Sequence, residues 1–329
     1  MNTKEPEKIL LSGVKPTGRP HIGNYFGAMK RFVSLQEKYK SYIFVANYHA
    51  LTTLQNKEQM EQNSLDVVID YLAIGLDPQK TTIFLQSDVP EVTELAWIFN
   101  CITTVSYLER AHAFKDAKAK AREVSVGTFD YPILQASDIL IQDSDVVPVG
   151  RDQKQHIEMA RDIAQKFNSV FGETFKLPEP LISEDVAVVL GTDGQKMSKS
   201  YANTIPLFAE DDEVRDIIAK TQMDSKGIDE KKNPDDYALY AIYKLFADEK
   251  EDKEMRAMFE NGGVGYADIK KAVAEKVIEF IKPMRERRKE IAKDKAMIMS
   301  ILKNNGEVAR SNAKKKIMEV RDKIGLKLK

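Results

Sequence analysis

Short apolar segments alternate with helical patterns through the first half of the chain. Runs rich in β-branched residues are typical of buried strands, and apolar positions that recur every three to four residues between them are typical of helices. The pattern predicts strands at residues 9–13, 41–49 and 81–87, with helices at 24–39 and 60–76. Strands and helices that alternate in this way form a parallel sheet, so we expect an α/β fold.

The pattern changes near residue 205. Before that point it predicts helices at 92–100, 104–112, 130–141 and 151–168, strands at 145–150 and 186–190, and exposed segments at 115–123 and 191–201. After it only helical patterns occur, and the last two, at 284–303 and 307–324, are separated by Asn304, Asn305 and Gly306. We therefore predict an α/β domain over residues 1–205 and an all-α domain over residues 206–329.

The composition is that of a folded protein and excludes several classes. Hydrophobic residues make up 43% and charged residues 31% of the 329. No apolar run approaches the roughly 18 residues of a transmembrane helix, and the charged start does not resemble a secretory or transit peptide. A single cysteine, Cys101, excludes internal disulfides, and four histidines are too few and too scattered for a Cys/His zinc site. We expect a cytoplasmic protein with no membrane association.

Charge is unevenly distributed along the chain. The formal net charge is -1, yet residues 283–329 carry 15 Lys and Arg against 6 Asp and Glu. A basic tail therefore follows an acidic body. Two interpretations remain open, a solvated helical surface and a face that contacts nucleic-acid phosphates.

The strongest local signal is the segment Lys196-Met197-Ser198-Lys199-Ser200. Two lysines three residues apart, with hydroxyls beside them and a glycine-containing approach at residues 192–194, can clamp a polyanion such as a triphosphate. The alternative is an ordinary solvated loop.

A second signal lies between the first predicted strand and the first predicted helix. At His21-Ile22-Gly23-Asn24, a helix amino end faces the carboxyl edge of a parallel sheet, where phosphates bind. Gly23 would admit a nucleotide ring close to the backbone, and His21 and Asn24 could donate hydrogen bonds, although a histidine here could simply cap the helix. Neither a P-loop nor a dinucleotide-binding fingerprint is present.

Together these two segments resemble the signatures of class I aminoacyl-tRNA synthetases. The sequence is similar to the tryptophanyl-tRNA synthetase family over essentially its whole length. The segments that carry the similarity are residues 13–24, 46–50, 108–110, 131–140 and 147–156, of which the last, VPVGRDQKQH, is the most specific.

The resemblance implies a Rossmann-type catalytic domain that contains a helical dimerisation segment at about residues 92–131 and the lysine-containing loop at 191–205. It also implies a homodimer and a helical domain at 206–329 that helps bind the anticodon. The implied reaction joins L-tryptophan to ATP, which carries Mg²⁺, forming tryptophanyl-adenylate and pyrophosphate. Tryptophan then passes to the terminal ribose of tRNA(Trp). The substrate carboxylate attacks the α-phosphorus itself, so no covalent enzyme intermediate is expected.

The resemblance also assigns roles to individual residues. Catalytic roles fall to Lys196, Lys199, His21 and Asn24. ATP contacts are expected from Lys15, Pro16, Thr17, Gly23, Asn24, Gly150, Arg151, Asp152, Val188, Lys196, Met197, Ser198, Lys199 and Ser200. Tryptophan contacts are expected from Asp138, Tyr131, Gln153, Gln135, His49 and Leu11, with Asp138 accepting the indole N–H. No residue is expected to hold a resident metal ion.

Three positions depart from the tryptophanyl pattern. Many bacterial members have Phe, Met and Gln where this chain has Leu11, Gln135 and Lys15. Gln135 matches the Gln that tyrosyl-tRNA synthetases commonly carry three residues before their specificity aspartate. Leu11 does not match them, because those enzymes generally have Tyr at that strand position. A tyrosyl-tRNA synthetase and a catalytically inactive, synthetase-like RNA-binding protein are therefore the alternatives. Read alone, Asp138 could cap a neighbouring segment and His49 could be a core histidine.

Overall fold

Residues 7–110, 125–150, 153–182 and 188–327 are described by the computed structural model. The chain divides into two compact units, each built from segments that are distant in the sequence. The sheet unit comprises Met1–Gly18, Phe32–Glu184 and Asp294–Lys329, and the helical unit comprises Arg19–Arg31 and Asp185–Lys293. These units differ from the division expected at residue 206, because a helical pattern does not reveal which part of the chain its apolar face packs against. The functions assigned to the two domains stay predictions.

Five parallel strands form the sheet. They are β1 (Ile9–Val14), β2 (Lys40–Val45), β3 (Thr81–Leu85), β4 (Val146–Val149) and β5 (Glu179–Ile182), in the spatial order β3-β2-β1-β4-β5. In β1 and β2, Leu11 lies beside Tyr42 and Val14 beside Val45. Successive residues of β2 are buried on both faces of the sheet, as in parallel sheets generally. The expected α/β fold is confirmed.

Helices occupy most of the remaining chain. They are α1 (Ile22–Asn24), α2 (Lys30–Leu35), α3 (Asn47–Ala50), α4 (Lys57–Ala73), α5 (Glu91–Ile102), α6 (Val105–Leu108), α7 (Val126–Ile141), α8 (Lys154–Phe171), α9 (Asp211–Ala219), α10 (Ala238–Lys244), α11 (Glu249–Glu260), α12 (Tyr266–Lys293) and α13 (Lys295–Lys323). A π-helical turn, Tyr25–Met29, joins α1 to α2, and short 3₁₀ turns cover Gln86–Asp88, Lys199–Tyr201 and Pro234–Asp236. Among the residues described after Ile205 there are helices and no strand, as predicted. None of the described helices has both the length and the apolar character needed to cross a membrane.

The last helix belongs to the core of the sheet unit. α13 packs against β3 and α5, and its Ala309, Ala313 and Val320 are fully buried in the same apolar cluster as Phe99 of α5. Burial of this apolar stripe stabilises α13, since a lysine-rich helix of this kind gains most of its stability from packing.

The predicted break at Asn304, Asn305 and Gly306 is wrong, because α13 continues through it. Gly306 allows α13 to pack closely against Asp88, since a Cβ at this position would lie only 3.0 Å from Oδ2 of Asp88. The chain instead breaks at Asp294, whose carboxylate accepts the backbone N–H of Met297 at 2.8 Å and so caps α13.

Two strand predictions also need correction. β2 ends at Val45, and the following residues form α3 rather than extending the strand to residue 49. β5 was not predicted, because Glu179 and Pro180 interrupt its apolar pattern. Of the strand predicted at 186–190, residues 186 and 187 lie outside the described residues, and Leu190 makes only an isolated bridge with Lys196. The segment predicted to be exposed at 115–123 also lies outside them.

Candidate active site

The carboxyl ends of β1 and β4 mark the point where the strand order of the sheet reverses. β1 has β2 on one side and β4 on the other, and in open α/β sheets ligands bind in the crevice outside such a switch point. Lys15 follows β1 directly and Gly150 follows β4 directly. The strand order therefore places both predicted ATP contacts at the edge where this fold binds nucleotides.

The turn after β1 holds Lys15, Pro16 and Thr17. The ammonium nitrogen of Lys15 lies 5.4 Å from the centre of the Tyr131 ring, a cation–π distance. Burial lowers the pKa of Lys15, so its charge is only partly compensated by solvent. Asn63 of α4 donates to the carbonyl oxygen of Pro16 at 3.2 Å and holds the turn. A bound phosphate or carboxylate would offset the cost of this desolvation by its opposite charge.

A buried carboxylate, Asp138, lies on α7. Its side chain accepts hydrogen bonds from Nε2 of Gln86 at 2.9 Å and 2.8 Å, one to each carboxylate oxygen, and Nε2 of His49 lies 2.9 Å from Oδ2. All three residues are at most 5% exposed. Burial raises the pKa of Asp138, and the contacts with His49 and Gln86 oppose that rise by stabilising the charged form.

Gln86 fixes the orientation of this carboxylate. Its Oε1 accepts the backbone N–H groups of Tyr48 and His49 at 3.0 Å and 3.2 Å, so its NH₂ group must face Asp138. Sequence reasoning did not single out Gln86. The available signal was its position, a polar residue directly after an apolar strand at the carboxyl edge of the sheet. The capping role considered for Asp138 does not describe its contacts, which are with side chains of two other segments.

Aromatic side chains extend from His49 along α7 and α8. The His49 and Tyr131 rings meet edge to face with centres 6.2 Å apart, and the Tyr131 hydroxyl lies 3.3 Å from Nε2 of His156. Tyr131, Gln135 and Asp138 are spaced four and three residues apart on α7 and therefore share one face of it.

The other residues predicted to contact tryptophan lie in the same unit. Leu11, in the middle of β1, lines a small cavity together with Gln86 and Asp138. Gln135 is half-buried on α7, and Gln153 is half-buried at the start of α8. The sheet unit therefore contains the complete set of residues predicted to bind the amino acid.

The His21 turn lies in the helical unit and pairs with the segment that follows the lysine loop. The backbone N–H of Ile22 donates to the carbonyl oxygen of Ile205 at 3.0 Å, and that of Leu207 donates to Pro20 at 2.9 Å. The side chain of Asn24 accepts the backbone N–H of His21 at 3.0 Å, which caps α1. The two predicted anion-binding segments, which are far apart in the sequence, are thus brought together.

Gly23 allows this close approach. A Cβ here would lie 2.9 Å from Nδ1 of His21 and 3.3 Å from Cβ of Met197. Burial, and then the charge of Lys199, lowers the pKa of His21 to about 4. His21 is consequently neutral near pH 7 and can act as a hydrogen-bonding group rather than as a cation.

The lysine loop presents its charges to solvent while its centre is buried. Met197 is 4% exposed, whereas Lys196, Lys199 and Ser200 are exposed. The Ser198 and Ser200 hydroxyls lie 2.8 Å apart. This arrangement anchors the loop through one apolar side chain and leaves two ammonium groups at the surface, where a polyanion can bind.

Three further residues were predicted to contact ATP. Val188 is 60% exposed in the helical unit, and Arg151 and Asp152 lie outside the described residues. No group of three or more His, Cys, Asp or Glu side chains that could hold a metal ion is found in the described part of the chain.

Comparison with known proteins agrees with this arrangement. Residues 3–282 match the family model of class I tRNA synthetases for tryptophan and tyrosine. Tryptophan–tRNA ligase of Fusobacterium nucleatum is 49% identical, over 97% of this chain and 98% of its own length, and that of Rhodopirellula baltica is 46% identical, over 97% and 99%. The crystal structure of tryptophanyl-tRNA synthetase from Campylobacter jejuni, complexed with ADP and tryptophan, superposes with a TM-score of 0.92 at 45% identity, covering 96% of this chain and 99% of that one.

Proposed function

The chain belongs to the class I tRNA synthetases for tryptophan and tyrosine, and from this premise we propose that it joins L-tryptophan to tRNA(Trp) at the expense of ATP. It is an aminoacyl-tRNA synthetase, like the ligases to which it is similar over nearly its whole length. The observation that carries the choice of tryptophan is the similarity to tryptophan–tRNA ligases over nearly the whole chain, and the buried Asp138 carboxylate, oriented by Gln86 and His49, offers an acceptor for the indole.

Asp138 is the acceptor for the indole N–H. The carboxylate uses part of its hydrogen-bonding capacity on Gln86 and His49, and an ionised carboxylate has about four acceptor sites. A buried acceptor that the ligand leaves unsatisfied costs about 1–3 kcal/mol, which disfavours amino acids without a donor at this place. Tyr131 and Gln153 contact the α-amino or carboxylate end, and Gln135, His49 and Leu11 surround the side chain.

ATP binds through the residues that the sequence assigns to it. The exposed ammonium groups of Lys196 and Lys199 match a triphosphate. Gly23 lets Met197 of the same loop pack closely against the His21 turn. Mg²⁺ would enter with ATP, held by its phosphate oxygens, where it would neutralise part of their charge.

The chemistry needs alignment and charge stabilisation rather than a nucleophile from the protein. The tryptophan carboxylate attacks the α-phosphorus, a P–O bond forms, and the bond to the β-phosphate breaks with release of pyrophosphate. Lys196 and Lys199 stabilise the negative charge that builds on the leaving pyrophosphate. Neutral His21 and Asn24 donate hydrogen bonds to ATP without adding charge to the site. A ribose hydroxyl at the end of the tRNA then attacks the adenylate carbonyl and releases AMP.

The basic tail is the proposed contact for tRNA phosphates. Some of its cations are structural: buried Arg285 lies 2.7 Å from half-buried Asp211, and buried Lys316 lies 2.9 Å from half-buried Asp143. Others, such as Lys303, Lys314 and Lys315 of α13, are exposed. These exposed lysines supply the positive surface that a polyanionic partner requires.

Exposed apolar residues support a homodimer. Trp97 on α5 is 71% exposed, Val105 on α6 is 63% exposed, and Val126 on α7 is 80% exposed. All three lie in the segment at about residues 92–131 for which a dimer contact was predicted. Large apolar side chains exposed close together in the chain are typical of interaction sites, and a two-fold dimer would bury them. We assign the enzyme to the cytoplasm, where its single exposed Cys101 would stay reduced.

Charging of tRNA tests the proposal. The purified chain, supplied with ATP, Mg²⁺, labelled tryptophan and total tRNA, should form a labelled ester on tRNA(Trp) alone. Labelled tyrosine should give no ester. An ester with tyrosine would favour the tyrosyl alternative, and binding of tRNA without charging by either amino acid would favour the inactive RNA-binding protein.

A further inference from the structure

Asn203 lies behind the lysine loop and is 2% exposed. Its Oδ1 accepts the backbone N–H of Ser198 at 2.8 Å. Its Nδ2 donates to the carbonyl oxygen of Lys196 at 3.1 Å and to Oδ1 of Asp193 at 2.7 Å. The two acceptors and the one donor around it define which end of the amide is oxygen and which is nitrogen.

The backbone around Asn203 closes the loop as well. Its carbonyl oxygen accepts the N–H of Thr192 at 3.1 Å, and Met197 donates to the carbonyl oxygen of Val189 at 2.9 Å. Gly191 packs directly on the Asn203 side chain, since a Cβ there would lie 2.3 Å from the amide. The backbone and the side chain of one buried residue, Asn203, therefore both hold the loop.

These bonds act on the two residues that flank buried Met197. The carbonyl of Lys196 and the N–H of Ser198 are fixed by one amide, so the backbone direction is set on both sides of the loop centre. Lys199 then begins the 3₁₀ turn Lys199–Tyr201, and Ala202 follows in a left-handed conformation with φ of 53°. The path from Asn203 to both lysine backbones is short.

We propose that Asn203 is a positioning residue for the reaction, which sets the direction of Lys196 and Lys199 toward the triphosphate through the Lys196 carbonyl and the Ser198 amide. The proposal rests on the proposed function. Asparagine suits the place because one small side chain must accept one hydrogen bond and donate two. An ionised aspartate could accept from Ser198 but could not donate, and it would face the Asp193 carboxylate.

The first test is Asn203→Asp, compared with the control Asn233→Asp. Asn233 is an exposed residue of the same unit whose side chain caps the turn Pro234–Asp236, a role that aspartate also performs. Its Nδ2 donates to Oδ1 of Asp236 at 3.1 Å, so this control removes the same kind of donor beside a carboxylate, but in solvent and away from the lysine loop. In tryptophan-dependent pyrophosphate exchange at pH 8, Asn203→Asp should lower kcat about 100-fold, as expected for a small displacement of catalytic groups. Its Kd for tryptophan and its Tm should stay close to those of the control.

The pH profile separates positioning from a general loss of structure. Two facing carboxylates at positions 193 and 203 share a proton as the pH falls, and the shared proton restores one donor. The deficit of Asn203→Asp should therefore shrink between pH 8 and pH 6. The double variant Asp193→Asn with Asn203→Asp also restores a donor between the two positions, so it should recover part of kcat at every pH in this range.

A proteolysis assay gives a readout that does not depend on activity. Trypsin should cleave Asn203→Asp after Lys196 or Lys199 about tenfold faster than it cleaves Asn233→Asp, because fewer bonds hold the loop. If Asn203→Asp does not fold, Gly191→Ala displaces the same amide without removing it and should give the same two effects.

The possible outcomes distinguish this proposal from the proposed function. A wild-type chain without tryptophan-dependent exchange would defeat the proposed function, and Asn203 would then lose its stated role as well. With exchange present in the wild type, rates of exchange and cleavage within about twofold of the control would overturn the role of Asn203 alone. The role of Asn203 would also be overturned if the lowered kcat of Asn203→Asp did not change with pH and was not recovered in the double variant.

Discussion

Replacement of Asp138 by asparagine tests how the amino acid is recognised. The substitution keeps the shape of the side chain and removes its charge and one acceptor. Because the Gln86 NH₂ group is held toward position 138 by the backbone N–H groups of Tyr48 and His49, the new amide must turn its oxygen toward Gln86. Its NH₂ group then faces His49 or the indole, and the acceptor for the indole N–H is lost.

The expected effect follows from that lost bond. A hydrogen bond to a charged acceptor contributes about 1.5–3 kcal/mol. Tryptophan should therefore bind roughly 10- to 150-fold more weakly to Asp138→Asn, measured as Kd by isothermal titration calorimetry. An analogue with sulfur in place of the indole N–H has no bond to lose, so its Kd should hardly change.

Asp130→Asn is the matched control. Asp130 lies on the same helix α7, and burial raises its pKa as it does that of Asp138. Its carboxylate accepts from Asn100 at 2.9 Å, a bond that an asparagine oxygen can also accept. The reasoning fails if Asp138→Asn binds tryptophan as tightly as the control, or if it loses as much affinity for the sulfur analogue as for tryptophan.

Three further predictions concern the helical unit and the basic tail. Lys199→Ala should reduce tryptophan-dependent pyrophosphate exchange by at least about 100-fold with little change in the Kd for tryptophan; an unchanged exchange rate would remove Lys199 from the chemistry. Burial and Lys199 lower the pKa of His21 from 6.5 to about 4. Between these two pH values the unfolded chain binds a proton at His21 that the folded chain does not. The free energy of unfolding therefore falls as the pH falls through this range. His21→Gln should weaken that dependence in denaturant titrations at pH 7, 6 and 5, and parallel curves for both proteins would contradict the shift. Replacing Lys314 and Lys315 by Gln should reduce the slope of log affinity for tRNA against log salt by about 1–2, whereas an unaltered slope would make them ordinary surface residues.

The sequence predicted the sheet well because its strands are buried and consecutively apolar. It also predicted that the His21 turn and the lysine loop act together, through their resemblance to paired signatures, and the hydrogen bond between Ile22 and Ile205 brings them together. The missed strand β5 and the continuous helix α13 have a common cause. Pro180 and Gly306 are residues that usually end such elements, and here pairing with β4 and packing on Asp88 outweigh their local preferences.

The residues that orient the site could not be predicted in the same way. Gln86 matters because two backbone N–H groups of α3 hold its amide, and Asn203 matters because three groups from one loop surround it. Both effects depend on how segments far apart or folded back in the chain meet in space. Neither residue type nor spacing along the sequence distinguishes these amides from those of surface residues.

The most direct test of amino-acid recognition is pyrophosphate exchange by the unmodified chain with tryptophan and tyrosine side by side. The buried, apolar Leu11, which offers no hydrogen bond to a phenol, and the similarity to tryptophan–tRNA ligases predict that kcat/KM for tryptophan exceeds that for tyrosine by roughly 1,000-fold or more. A ratio near one, or a preference for tyrosine, would contradict the account.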